Sequence, residues 1–133
     1  MEMPLSPPKI LTDAGLSMFV DTVKLRELPL PVSEIDIDQL LWHFDMPVWS
    51  KDGTDGWNLT PWEAIRKESG STIHQKRIED ADFSYPLVAT EYNSKMVILD
   101  GVHRLAKMYM QGEKIIKAKI IPTEYLSRKE FQT

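Results

Sequence analysis

Pro86-Leu87-Val88-Ala89-Thr90-Glu91-Tyr92-Asn93-Ser94-Lys95-Met96-Val97-Ile98-Leu99-Asp100-Gly101-Val102-His103-Arg104-Leu105-Ala106 is the stretch on which the fold turns. Two apolar runs flank Asn93-Ser94, a dipeptide suited to a tight turn, so residues 86–92 and 96–99 read as the two arms of a β-hairpin. Asp100-Gly101 breaks the second arm. Val102, Leu105, Ala106 and Tyr109 then fall at i, i+3, i+4 and i+7, one apolar stripe of a helix. Gly112 stands where a helix-terminating glycine belongs. Residues 115–121 form a short apolar run with Lys117 and Lys119 on one face, a further strand. Strand, helix and strand joined by short links predict a C-terminal βαβ unit with a right-handed crossover.

Upstream of this stretch the pattern is mixed. Alternation through Phe19, Asp21 and Val23 predicts a strand over 18–25. Pro29 and Pro31 keep 28–32 extended, because residues before proline avoid the helical region. Asp36 reads as a helix cap paired with Gln39 in a capping box. Ile37, Leu40, Leu41 and Phe44 give that helix its apolar stripe, and Pro47 stops it. Residues 45–60 form a long loop of the kind that carries function or moves. Thr60-Pro61-Trp62-Glu63 opens a helix running to about residue 69, with threonine capping, proline in the first position and glutamate closing the box. A second short helix is expected over 72–80, and a closing one over 123–130 capped by Thr123. Residues 1–17, with Pro4, Pro7, Pro8 and Gly15, read as a flexible or loosely docked arm on a single domain spanning 18–133. The fold class expected is α+β: a small mixed sheet with the C-terminal βαβ unit and flanking helices.

Composition excludes several chemistries. The chain has 133 residues, 42% hydrophobic and 27% charged, which is ordinary for one globular domain. It has no cysteine, so disulfides, thiolate nucleophiles, zinc-thiolate sites and iron–sulfur clusters are out. No apolar run approaches the roughly 18 residues of a membrane span, and a cytoplasmic protein is expected. The net charge of −4 is unevenly spread: residues 94–133 carry 8 Lys/Arg against 4 Asp/Glu, and residues 1–93 carry 8 against 16. An acidic first part makes nucleic acid an unlikely partner, while the basic last part suits an anion.

The candidate site is Asp100-Gly101-Val102-His103-Arg104 at a strand end that opens a helix. Glycine permits a sharp turn and a close approach, and the first helical N–H groups are free to bind an anion. Arg104 offers a planar fork for phosphate oxygens, His103 a donor at either nitrogen, and Lys107 lies one turn further on the same face. The competing reading makes Asp100 a simple helix cap and leaves His103 and Arg104 as solvated first-turn residues. Other clusters are weaker. His43 and Asp45 are too few to ligate a metal, and no metal ligands are assigned. Lys51-Asp52-Gly53-Thr54-Asp55-Gly56 lacks the downstream glutamate of a calcium loop. Trp42, Trp49, Trp57 and Trp62 read as satellite core or the wall of a substrate lid, and His74 with Lys76 and Arg77 as a solvated basic cluster.

Ile98-Leu99-Asp100-Gly101-Val102-His103-Arg104-Leu105-Ala106, followed by Gly112 and the strand at 116–121, resembles the ParB/sulfiredoxin superfamily over about residues 84–123. The resemblance implies a ParB/sulfiredoxin-like fold and a nucleotide-phosphate-binding turn, with ATP, ADP or CTP held by Asp100, Gly101, His103, Arg104 and Lys107. The Asp-Gly-x-His-Arg form of the turn is similar to that of free-serine kinases, where an acidic residue works through Mg. It thereby implies a small-molecule phosphotransfer activity and a small-molecule substrate. Sulfiredoxins place their cysteine where this chain has Val102, so sulfinic-acid reduction is excluded. No helix-turn-helix segment is read within these 133 residues, so partition-type DNA binding is not expected of them, and no paired-carboxylate site supports a nuclease. A kinase needs a carboxylate to accept the substrate's proton, for which Glu34 and Asp36, with Asp38, are the candidates. The alternative from a different class is a non-catalytic interaction or nucleic-acid-associated module of the same superfamily.

Overall fold

The structure, a computed structural model, describes residues 7–16 and 20–132. The hairpin forms where the sequence places it: β2 (Leu87–Tyr92) and β3 (Lys95–Asp100) pair antiparallel around Asn93 and Ser94, both at positive φ. β4 (Ile115–Ile120) lies on the other edge of β2, and β1 (Val32–Asp36) closes the sheet beyond it, giving the order β1-β4-β2-β3. β4 is parallel to β2, from Leu87 opposite Ala118 to Ala89 opposite Ile120, and antiparallel to β1. The chain is therefore a mixed α+β domain with one four-stranded sheet among the described residues.

The C-terminal unit departs from a simple βαβ. β3 and β4 are not neighbours and do not run parallel; the parallel partner of β4 is β2, so the connection between parallel strands contains both β3 and α5 (Val102–Met110). The physical reason lies in β2. Leu87, Val88, Ala89 and Thr90 are all at most 1% exposed, so this strand needs partners on both edges and cover on both faces. β3 takes one edge through the short turn, and β4 takes the other. Periodicity announces that strands exist and leaves their neighbours open.

Two faces of the sheet carry two clusters. Ile35, Leu87, Ala89, Ile98, Ile116 and Ala118 pack against Leu105 and Ala106 of α5, Ala64 of α3 (Pro61–Ile65), Ile78 of α4 (Thr72–Glu79), and Leu40 and Phe44. On the opposite face Val88 and Ile121 meet Leu25 and Phe131. A leucine such as Leu105, fully buried, contributes roughly 1.5–3 kcal/mol from transfer out of water. α1 (Lys9–Asp13) buries Leu11 completely, so this part of the N-terminal arm is docked; residues 1–6 and 17–19 lie outside the described residues.

Four local expectations change. The segment expected as a strand over 18–25 contains α2 (Thr22–Arg26), with its Phe19 and Met18 outside the described residues. Asp21 prevails over the alternation, because its carboxylate accepts the Lys24 N–H at 3.1 Å and caps the first turn. Asp36 accepts from the Asp38 N–H at 2.9 Å rather than pairing with Gln39, and the expected helix becomes two 3₁₀ turns, Ile37–Gln39 and Leu41–Asp45. Spacings of three and four serve a 3₁₀ turn too, so Ile37, Leu40 and Phe44 are buried as expected. The helix from Thr60 keeps its complete capping box but ends at Ile65, where Lys67 adopts φ 57°. The closing helix α6 (Thr123–Leu126) is shorter than expected and starts after Pro122, with no cap from Thr123. No helix among the described residues is long and apolar enough to cross a membrane.

Candidate functional site

Gly101 begins the site. Its φ is 122°, and a Cβ there would stand 2.4 Å from Leu87 Cδ2 and 3.2 Å from Arg104 Nη2. A side chain is excluded twice, by backbone conformation and by space. The turn therefore delivers the first residues of α5 close against β2. His103 leaves this first turn sideways, away from the Leu105 and Ala106 stripe, and meets the middle of the chain.

The long loop supplies the other half. Trp49 pairs across it with Leu59, whose carbonyl accepts the Trp49 N–H at 3.1 Å. The Asn58 side chain accepts the Lys51 N–H at 2.7 Å, and the Ser50 hydroxyl donates to the Gly56 carbonyl. Asp52 accepts the N–H groups of Thr72 at 2.9 Å and Ile73 at 3.0 Å, so the loop, not the adjacent Ser71, caps α4. Those N–H bonds, led by Ile73, hold the Asp52 carboxyl below its ordinary range. Trp62 Nε1 donates to Asp45 at 2.9 Å. A loop tied at this many points is a built wall.

The wall places Trp49, 8% exposed, over two imidazoles. His74 of α4 and His103 of α5 face each other edge to edge, Nδ1 to Nε2 at 2.9 Å, with ring planes 5° apart. The indole lies parallel to both, its ring centroid 4.6 Å from His74 and 4.2 Å from His103. Burial, with help from the neighbouring His74 and Arg77, pushes the His103 pKa down to about 4. Burial lowers His74 as well, assisted by Arg77 and opposed by Asp52 and a hydrogen bond to the Ser50 carbonyl. Both rings are neutral at pH 7. His74 is thus a buried, partnered residue and not part of a solvated basic cluster.

Beside this pair lies a groove of about 420 Å³ whose lining includes Trp49, Lys51, Asp55, Trp57, His74 and Arg77. Among the described residues, Arg77 makes no hydrogen bond or ion pair. Indole walls and two cations suit a ligand that joins a flat ring to an anion.

The other residues singled out from the sequence sit as follows. Arg104 is turned inward, its side chain 11% exposed. Nη1 donates to the carbonyls of Tyr85 at 2.9 Å and Pro86 at 3.0 Å, and Nη2 donates to Asp100 Oδ2 at 3.0 Å. Arg104 and Asp100 together pin the approach to β2 against the start of α5. Lys107 donates to the carbonyls of Glu79 at 2.8 Å and Ala81 at 3.0 Å, satisfying the C-terminal end of α4. In this structure Arg104 and Lys107 thus spend their donors within the fold. Glu34 lines a second cavity of about 570 Å³ with Val32, Phe83, Tyr85, Ile115 and Lys117. Asp36 caps its 3₁₀ turn, and neither carboxylate lines the groove beside His74. His43 is fully buried: Nδ1 donates to the Leu40 carbonyl at 2.7 Å and Nε2 accepts the Ile98 N–H at 2.9 Å, a structural tie between a 3₁₀ turn and β3. No group of three or more metal-ligating side chains occurs among the described residues.

Sequence reasoning missed the joining of Trp49, His74 and Arg77 to His103. The available signal was the spacing of His74 and Arg77, three apart on one helix face; the 29-residue separation from His103 carried none. No family model, no curated protein and no solved structure matches this chain.

Proposed function

We propose that this domain binds a nucleotide (ATP, ADP or CTP) where the 48–57 loop and α4 meet the Gly101–His103 turn. The observation that carries the reading is the groove itself: Lys51 and Arg77 beside indole walls and His74, whose ring is hydrogen-bonded in turn to His103 of the turn. The cations receive the phosphates and the indoles the base; Mg carried by the nucleotide would neutralise phosphate charge, with Asp55 the groove carboxylate that would hold it. The resemblance of residues 98–106 to the ParB/sulfiredoxin-like turn supports the same ligand class. Within this reading Gly101 and Arg104 build the turn, and Arg77 supplies the charge for which the sequence offered Arg104 and Lys107. Phosphotransfer to a small-molecule substrate is a further step for which Asp55 is the carboxylate lining the groove, rather than Glu34 or Asp36.

Calorimetric titration with ATP, ADP and CTP, with and without Mg, tests the reading. Saturable heat with at least one nucleotide is expected, and its absence with all of them defeats the proposal. A second reading, a non-catalytic interaction module, is favoured by the second cavity, around which Val32, Phe83, Tyr85 and Ile115 are each at least 40% exposed.

A further inference from the structure

The two cations of the groove come from different elements. Lys51 stands in the 48–57 loop and Arg77 on α4, so their separation depends on how the loop is fixed to the helix. Several hydrogen bonds close within the loop itself: Lys51 N–H to Asn58, Ser50 to Gly56, and the Thr54 N–H and hydroxyl to the Lys51 carbonyl at 3.0 and 2.8 Å. Among the described residues, the loop's hydrogen bonds to the start of α4 converge on Asp52. One carboxylate oxygen accepts the Thr72 N–H and the other the Ile73 N–H, and the Asp52 N–H donates to the Gly70 carbonyl at 2.8 Å. Ser71, the residue in the capping position, gives α4 no side-chain bond of its own. Gly70 completes the joint. A Cβ there would lie 3.4 Å from Cβ and Cγ of Lys51, so the lysine stem is seated on the bare glycine. Asp52 does not line the groove, but residues on both sides of the joint do: Lys51 and Gly53 from the loop, Ile73 and His74 from the helix.

We infer that Asp52 is a positioning residue of the groove: it joins the loop wall to the α4 wall and thereby holds Lys51 and Arg77 at one separation, ready for a ligand carrying more than one phosphate. This deepens the nucleotide reading and rests on it. Two cations on separately moving elements would have to be ordered by the ligand, and that ordering is subtracted from affinity. A carboxylate spanning two adjacent helix N–H groups makes charge-assisted bonds and also meets the positive end of the helix dipole. It fixes the loop before the ligand arrives. The role is indirect, since Asp52 touches α4 and not the ligand, and its negative charge alone would disfavour a phosphate.

The test has a ligand-free arm and a binding arm, both on the full chain, with urea unfolding to confirm that each variant is native under the conditions used. In the free protein, nitrogen-15 relaxation should show the amides of residues 51–57 more mobile in Asp52→Ala than in the wild type, with Asp52→Asn, which keeps one acceptor oxygen, in between. Unchanged loop relaxation in Asp52→Ala overturns the inference. In the binding arm, Asp52→Ala should weaken ATP about tenfold, and Asp52→Asn less. The same Asp52→Ala change made in an Arg77→Ala background should cost less than about threefold, because one cation no longer has a partner to be aligned with. Equal losses in the two backgrounds show a general loosening and overturn the positioning role, as does wild-type affinity in Asp52→Ala. If the wild type binds no nucleotide, the nucleotide reading falls, and the joining of the two walls by Asp52 stands or falls on the relaxation data alone.

Discussion

Acidification should unfold this protein in a window set by its buried histidines, and His43 allows the effect to be isolated. Burial holds the His43 pKa at about 4, against 6.5 for an exposed imidazole. In the folded state the ring stays neutral, because Nε2 must accept the Ile98 N–H. Between pH 6.5 and about 4 the unfolded chain binds a proton there that the folded chain refuses, so stability falls as pH falls and levels off below the folded value. Integrating that difference gives a loss of about 2 kcal/mol at pH 5 and about 3 kcal/mol at pH 4 from this one residue. His103, held at about 4, adds a loss of the same sign over the same window, a large fraction of an ordinary domain's 5–15 kcal/mol. The assay is urea unfolding at pH 7.5, 6, 5 and 4. His43→Gln retains an oxygen that can accept from Ile98 but has nothing to titrate. It should be less stable at pH 7.5, and its loss between pH 7.5 and 5 should be smaller than the wild type's by about 2 kcal/mol. Parallel pH profiles for the two proteins would refute the reasoning.

Gly101→Ala should cost about 3 kcal/mol in urea unfolding, since the new Cβ meets Leu87 and the backbone must hold φ 122°; a cost under about 0.5 kcal/mol would contradict the turn geometry. Arg104→Ala, which strips three donors from Tyr85, Pro86 and Asp100, should destabilise by about 2–4 kcal/mol. Arg77→Ala should leave the unfolding midpoint within experimental error and weaken nucleotide affinity at least tenfold, and the reverse pattern for the two arginines would overturn the division of labour between them. Lys119→Met should lower stability by about 2 kcal/mol, because this 9% exposed amine donates to the carbonyls of Arg26 and Leu28 that close α2.

What the sequence disclosed was local. Asn93-Ser94, the Val102–Tyr109 stripe and the Thr60–Glu63 box each describe an interaction completed within a few residues, and the turn, the stripe and the box all formed, although the helix behind the box ends at Ile65 rather than near residue 69. The strand order was not legible, because the neighbours of β2 are chosen by burial of Leu87 to Thr90, and the partner strand lies some thirty residues away. Asp21 misled because a cap and an alternating strand compete for the same residues, and one carboxylate bond decides between them. At the site, Gly101 and His103 were visible as a turn that opens a helix. The use of Arg104 was not, because its partners are backbone carbonyls, which no side-chain pattern announces. His74 lay hidden for a related reason. A histidine beside Lys76 and Arg77 reads as solvated until a loop from residues 45–60 is found capping its helix and laying an indole over its ring.

The most direct measurement is a map of backbone and side-chain NMR shifts during an ATP titration. The account predicts that the largest changes fall on the Trp49 and Trp57 indoles, Lys51, His74, Arg77 and His103. Changes confined to Val32, Glu34, Phe83 and Tyr85 around the other cavity, or no change at millimolar nucleotide, would contradict it.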